Sequence, residues 1–188
     1  MRSVLASKSA LWILSLVLVL STVWTYRYAI VFYGCMAMLR HSSDGNATLR
    51  VADTLEPIGP RIKELLRISY DNTMDDPRVR IAAASVLSKA DRGYADRVVL
   101  RHLTSNNLGI VSRAIRDLWA MGASGHVDAI LPFLKAQDPS LRESAALYLG
   151  LSARDDVRGV LRDLETSDPD ENVRQTAARS LERINVKQ

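Results

Sequence analysis

Between Pro57 and Ile184 one short pattern returns four times, and this repetition constrains the fold more than any other feature of the chain. It is plainest from Asp138 to Gly150 and recurs from Asp76 to Leu87, in a degenerate form from Asn107 to Trp119, and from Asp168 to Leu181. Aligned on their first apolar residue, the copies give Val79, Val111, Leu141 and Val173, at intervals of 32, 30 and 32. Four residues on stand Ala83, Ile115, Ala145 and Ala177, and eight on stand Leu87, Trp119, Leu149 and Leu181. Positions i, i+4 and i+8 share one helical face, so each copy predicts a helix with a buried stripe, and the alanines let neighbouring helices approach closely. A period in this range marks a solenoid of helix pairs, in which each unit leans on its neighbours.

Start signals agree with that reading. Asp76-Pro77, Asp138-Pro139 and Asp168-Pro169 place a capping acceptor before a proline at the first helical position, and Glu171 completes a capping-box pattern in the last copy. Before each copy lies a second amphipathic segment. These segments carry Ile62, Leu65 and Leu66; Val99 and Leu103; Val127, Ile130 and Leu134; and Val157, Val160, Leu161 and Leu164. The predicted unit is helix, tight turn, helix.

These residues resemble the HEAT-repeat family, particularly its short bacterial version related to the phycobilisome-lyase repeats, over about Pro57 to Ile184. The resemblance implies an all-α solenoid of four helix pairs. It also implies that Arg80, Arg142 and Arg174, each a few residues after an aspartate, belong to a ladder bridging successive repeats. The second copy departs from the pattern, with Asn106 and Asn107 for Asp-Pro and Ser112 for the arginine.

The first 39 residues have a different character. A head of residues 1–9 carrying Arg2 and Lys8 precedes the uncharged run Ala10 to Tyr26, which as a helix covers roughly 25 Å and can span a bilayer. Trp12 near one end, with Trp24 and Tyr26 at the other, matches the aromatic belts of membrane interfaces. The expectation is one N-terminal transmembrane helix, with Tyr28 to Leu39 as an apolar extension too short to span alone. The run is longer than a signal-peptide core and Arg27 interrupts it, which favours an anchor over a cleaved leader. Phe32-Tyr33-Gly34-Cys35 sets a glycine before the cysteine, but the bulky residues ahead of it disfavour lipidation. Residues 40–56 read as a linker with a possible capping helix from Leu49 to Leu55, and 57–188 as the repeat domain. The short head places the repeat domain outside the cytoplasm, on a bacterial inner membrane.

Charge narrows the choice of partners. Of 25 Lys+Arg and 21 Asp+Glu, five cations and two anions precede Glu56, leaving 20 and 19 in the repeats. Such a domain lacks the one-signed surface and stacking aromatics that track a phosphate backbone, which argues against nucleic acid. Cys35 is the only cysteine and His41, His102 and His126 stand apart, so no metal site is expected. No phosphate loop, nucleophile elbow or acid/base pair can be named, no cofactor is expected, and any small-molecule ligand is unspecified. Asp155-Asp156 reads as a helix start. The expected function is a membrane-anchored scaffold or adaptor that binds protein, a structural or assembly subunit of a membrane complex and not an enzyme. The alternative implied by the resemblance is a bilin-lyase-like or chaperone-like subunit. Candidate contact residues are Arg78, Ser85, Asn106, Asn107, Ser112, Arg113, Arg116 and Arg142.

Overall fold

The computed structural model describes the backbone of residues 2–42, 44, 46–72, 76–152 and 154–186, and within that set the side chains from 15 onward except 17, 22, 24, 25 and 155. Every regular element among the described residues is helical. A long helix, α1 (Arg2–His41), leads into α2 (Ala47–Leu55) and a 3₁₀ segment, Glu56–Arg61. Four pairs follow: α3 (Lys63–Asn72) with α4 (Pro77–Ala90), α5 (Arg92–Leu100) with α6 (Leu108–Ala120), α7 (Val127–Ile130) with α8 (Pro139–Leu149), and α9 (Asp155–Ser167) with α10 (Glu171–Val186). The third pair has a broken first helix. Pro132 lacks an N–H to donate, and after one α-helical turn the chain continues as the 3₁₀ segment Leu131–Lys135.

Each pair buries the stripe that the spacing predicts. Val79, Val111, Leu141 and Val173 are buried, as are Ala83, Ile115, Ala145, Ala177, Leu87, Leu149 and Leu181. Trp119 is the exception. The core position in α6 belongs to Leu118, fully buried, while the Trp119 indole is half-buried at the edge of the helix. In a helix with 3.6 residues per turn, the step of seven from Val111 to Leu118 keeps the face better than the step of eight. The chain then reverses at Gly122, whose φ of +68° favours glycine, and Ala123 N–H donates to Leu118 O at 2.9 Å.

Capping explains a second difference. Asp76 accepts from the Arg78 and Val79 amides, and Asp138 accepts from Ser140. In the fourth copy the cap is Asp170, which accepts from Asn172 and Val173 at 2.9 and 3.2 Å. It stands three residues before the first stripe residue, Val173, as Asp76 and Asp138 stand before Val79 and Leu141. Asp168 lies five residues ahead and is thereby released for another task.

The C-terminal part of α1 belongs to the same core. Phe32, Met36 and Leu39 are buried with Ala47, Val51, Ala52 and Leu55 of α2, so the apolar run Tyr28 to Leu39 serves as the first half of a capping pair. Arg78 fixes the joint by donating to Ser42 O at 2.6 Å and Arg40 O at 3.4 Å, carbonyls left without helical partners where α1 ends. The preceding stretch is uncovered: Leu16, Leu18, Val19, Leu20, Val23 and Tyr26 are all exposed. Among the described residues no helix is long and apolar enough to cross a membrane. Ala10, Trp12 and Trp24 of the expected span lie outside the described side chains.

Among the described glycines the closest approach is at Gly150, which follows α8 and faces α10. A Cβ added at Gly150 would stand 2.8 Å from Ser180 Oγ, 2.9 Å from its Cβ and 3.1 Å from its Cα. Gly150→Ala is therefore expected to destabilise the protein by about 1–3 kcal/mol in urea denaturation. Gly93→Ala, whose new methyl meets nothing nearer than a flexible arginine end at 3.6 Å, should change it by less than about 1 kcal/mol.

Candidate functional site: the second-helix face and its inter-repeat bridges

Helices α4, α6, α8 and α10 form one side of the solenoid. Along it, α6 packs closely on α8 and α8 on α10, whereas α4 and α6 meet sparsely. Beside the shared apolar core, polar side chains bridge successive repeats. Between the third and fourth repeats, Arg142 grips Asp168 with a two-pronged bond, Nε to Oδ2 at 2.8 Å and Nη2 to Oδ1 at 2.9 Å. Its remaining nitrogen, Nη1, donates to Ala136 O and Gln137 O. Arg174 makes the matching backbone contacts, to Asp168 O and Pro169 O. The Arg142 guanidinium holds the Asp168 carboxyl below the usual carboxylate range, outweighing the opposite effect of burial.

The second copy offers Arg80 no acid before its helix, because Ser105, Asn106 and Asn107 stand there. Arg80 pairs instead with Asp117 inside α6, Nε to Oδ2 at 3.3 Å, with both side chains almost wholly buried. Tyr70 of α3 donates its hydroxyl to the same oxygen at 2.7 Å. Burial raises Asp117 above the usual carboxylate range, more than Arg80 and Tyr70 lower it, and burial next to Asp117 raises the Tyr70 hydroxyl too. Between the second and third repeats the missing arginine is replaced by a short contact. Ser112 Oγ lies 2.8 Å from Ser144 Oγ, and Arg116, one turn on, donates to Ser144 Oγ at 2.9 Å and to Glu143 at 3.1 Å.

A second series of bridges links the first helices. Asp71 of α3 takes Arg101 and His102, Asp96 of α5 takes His126 at 2.9 Å, and Asp128 of α7 takes Arg154 at 2.7 Å. Each joins an acid on one first helix to a basic side chain of the following repeat. Their spacings, from 26 to 31 residues, follow the repeat period closely enough that a search for acid and base pairs one period apart would find them.

The predicted contact residues are thus distributed unevenly. Arg78, Ser112 and Arg142 direct their polar atoms inward, to the α1 end, to Ser144 and to Asp168. Asn107 caps α6 through the Gly109 and Ile110 amides, with Asn106 exposed beside it. Ser85 lines a cleft of about 330 Å³ where α4 and α6 diverge, with Asp117 also in its wall. Arg116 is exposed and Arg113 half-buried. Asp117, Glu143 and Ser144 were missed by repeat alignment because they fall outside the repeated pattern. A larger trough of about 950 Å³ lies between the first helices of repeats three and four, with the Arg142–Asp168 pair in its wall and Val160 and Leu164 along α9. The break at Pro132 cuts short the helix opposite α9.

Residues 99–182 match the family model described as HEAT repeats. That range takes in α6 through α9 and most of α10 with the bridges that join them, and it supports a HEAT-repeat solenoid. No curated protein matches the chain.

Two predictions follow from the charged pairs. Asp117→Ala leaves Arg80 buried without its counter-charge and should cost about 3–5 kcal/mol, whereas Tyr70→Phe/Arg80→Met/Asp117→Leu should recover most of that loss. Urea denaturation of the two variants compares them directly. For Asp168, a carboxylate with a depressed folded value stabilises when ionised. Its contribution is complete above the unfolded value of about 4 and is lost as pH falls through the lower folded value. Asp168→Asn should therefore lose about 2 kcal/mol at pH 7, and the difference from the natural protein should shrink below about pH 4.

Proposed function

We propose that this chain is a membrane-anchored HEAT-repeat scaffold that holds a protein partner on its second-helix face, as a structural or assembly subunit of a membrane complex. The observation that carries the protein-binding part is the HEAT-repeat match over residues 99–182, since HEAT repeats generally mediate contacts between proteins. A stacked row of helix pairs offers a long surface whose individual contacts add along its length. The exposed residues Asn106, Asn107 and Arg116 lie on or beside that surface, with Arg113 near them. Arg78, Ser112 and Arg142 contribute by setting where the helices stand, and Ser85 lines the cleft between α4 and α6.

The anchor rests on the uncharged run Ala10 to Tyr26 and on the exposed side chains of Leu16, Leu18, Val19, Leu20, Val23 and Tyr26. A helix that exposes this many large apolar side chains in one stretch needs lipid or another protein around it. Because α1 continues without a break into the capping pair, such an anchor would hold the solenoid through a stiff helix and restrict its orientation at the bilayer. In this proposal the helix crosses a bacterial inner membrane once and the repeats lie outside the cytoplasm. Confinement to the membrane raises the scaffold's effective concentration toward partners there.

Alkaline carbonate treatment of membranes should leave the full chain in the pellet, and Leu18→Arg/Val19→Arg should move a large fraction to the supernatant. Release of the unaltered chain by carbonate would count against the anchor. Affinity purification in mild detergent should recover a stoichiometric protein partner, and its repeated absence would count against the scaffold.

A further inference from the structure

We propose that the hollow where α6, α8 and α10 meet is a docking point for an acidic side chain of a partner protein, held by Arg179 and Arg183 against Trp119. This rests on the scaffold reading above and supplies the partner's chemistry. The hollow measures about 300 Å³, enough for a side chain and its flanks and too small for a helix, and its lining includes Trp119, Glu143, Leu147, Arg179 and Arg183.

Three observations converge there. The first is Trp119, which packs against the edge of the core and is left half-buried in the wall of the hollow. Its indole Nε1 is buried without a hydrogen-bond partner, and a donor removed from water without an acceptor is unfavourable in the free protein. The second is the pair of arginines. Arg183 holds its Cζ 5.1 Å from the centre of the Trp119 ring, and Arg179, one turn earlier on α10, uses only Nε, on Gln175 O. Among the described residues neither lies within ion-pair distance of a carboxylate, unlike Arg67, Arg92, Arg101, Arg142 and Arg154. The third is local charge. The lining holds two guanidiniums, Arg179 and Arg183, and one carboxylate, Glu143, which Arg116 outside the hollow already engages.

An acidic peptide fits this arrangement better than a nucleic acid. A guanidinium presents two parallel N–H groups to a carboxylate, and stacking on an indole fixes the plane in which it does so. Nucleic acid requires positive charge continuing along a backbone track. Here the excess is confined to one hollow of a domain with 20 cations and 19 anions from Glu56 onward.

The test uses the full chain in detergent micelles and a fluorescein-labelled hexaglutamate peptide followed by anisotropy. The unaltered chain should bind it and should not bind a hexaglutamine control. Arg179→Gln/Arg183→Gln should weaken binding about tenfold or more, Arg179→Lys/Arg183→Lys should retain part of it, and Glu143→Gln should tighten it. Unchanged thermal midpoints establish that the variants fold. Equal affinity in the unaltered chain and the glutamine variant would overturn the proposal, as would tighter binding of a polythymidine strand at the same residues. Detergent purification separates the two levels of inference. A partner recovered equally with both chains leaves the scaffold intact and removes this site, whereas a partner recovered with neither removes the scaffold reading itself.

Discussion

A helix pair of this size cannot cover its own apolar stripe, and the rest of the structure follows from how each pair is covered by the next. The alanines at the centre of three second helices, Ala83, Ala145 and Ala177, are fully buried. They allow the backbones to come near, and the contact between Gly150 and Ser180 shows how little space remains. The hydrophobic gain of that burial is itself non-directional and does not fix one register. The buried polar pairs oppose sliding of one helix along another. Arg142 with Asp168, and Arg80 with Asp117 and Tyr70, lose their geometry if a repeat shifts by a turn. The cost of leaving a charge unpaired in the interior then falls on every misregistered stack.

The same constraint determines what happens at the two irregular places. Without an acid ahead of α6, Arg80 reaches into the neighbouring helix, and the helices on either side diverge enough to leave a cleft. At Pro132 the first helix of the third pair is broken, and a trough lies between it and α9. Both concavities therefore arise at departures from the repeat. At the N-terminal end, α1 and α2 supply the cover that an end repeat otherwise lacks, with Arg78 closing the joint.

Much of the fold was legible because helical periodicity and capping are local. The stripe from Val79 to Leu181, the prolines at Pro77 and Pro139, and the helix over Leu49 to Leu55 are all present in the structure. Errors came where one or two residues of register mattered. Asp168 looked like a cap because a proline follows it, yet Asp170 has the spacing that lets a carboxylate reach the first free amides. Trp119 looked like core because it stands eight residues from Val111, yet Leu118 lies closer to the axis of the buried face. The candidate contact residues were chosen for breaking the pattern, and that criterion could not tell Ser112, sealed between two helices, from Asn106, open to solvent.

The sequence by itself determined that the repeats are helical, how many times they recur, where their second helices begin to within two residues, and that an uncharged run precedes them. These are properties of single helices, governed by neighbours three and four positions away. Only the tertiary structure decided the partners of the arginines, the bridges from Asp71, Asp96 and Asp128, the docking of Phe32, Met36 and Leu39, and the meeting of Trp119 with Arg183. Those contacts join residues tens of positions apart. Which side chains meet there depends on the distance and rotation between stacked helices, which periodicity alone does not encode.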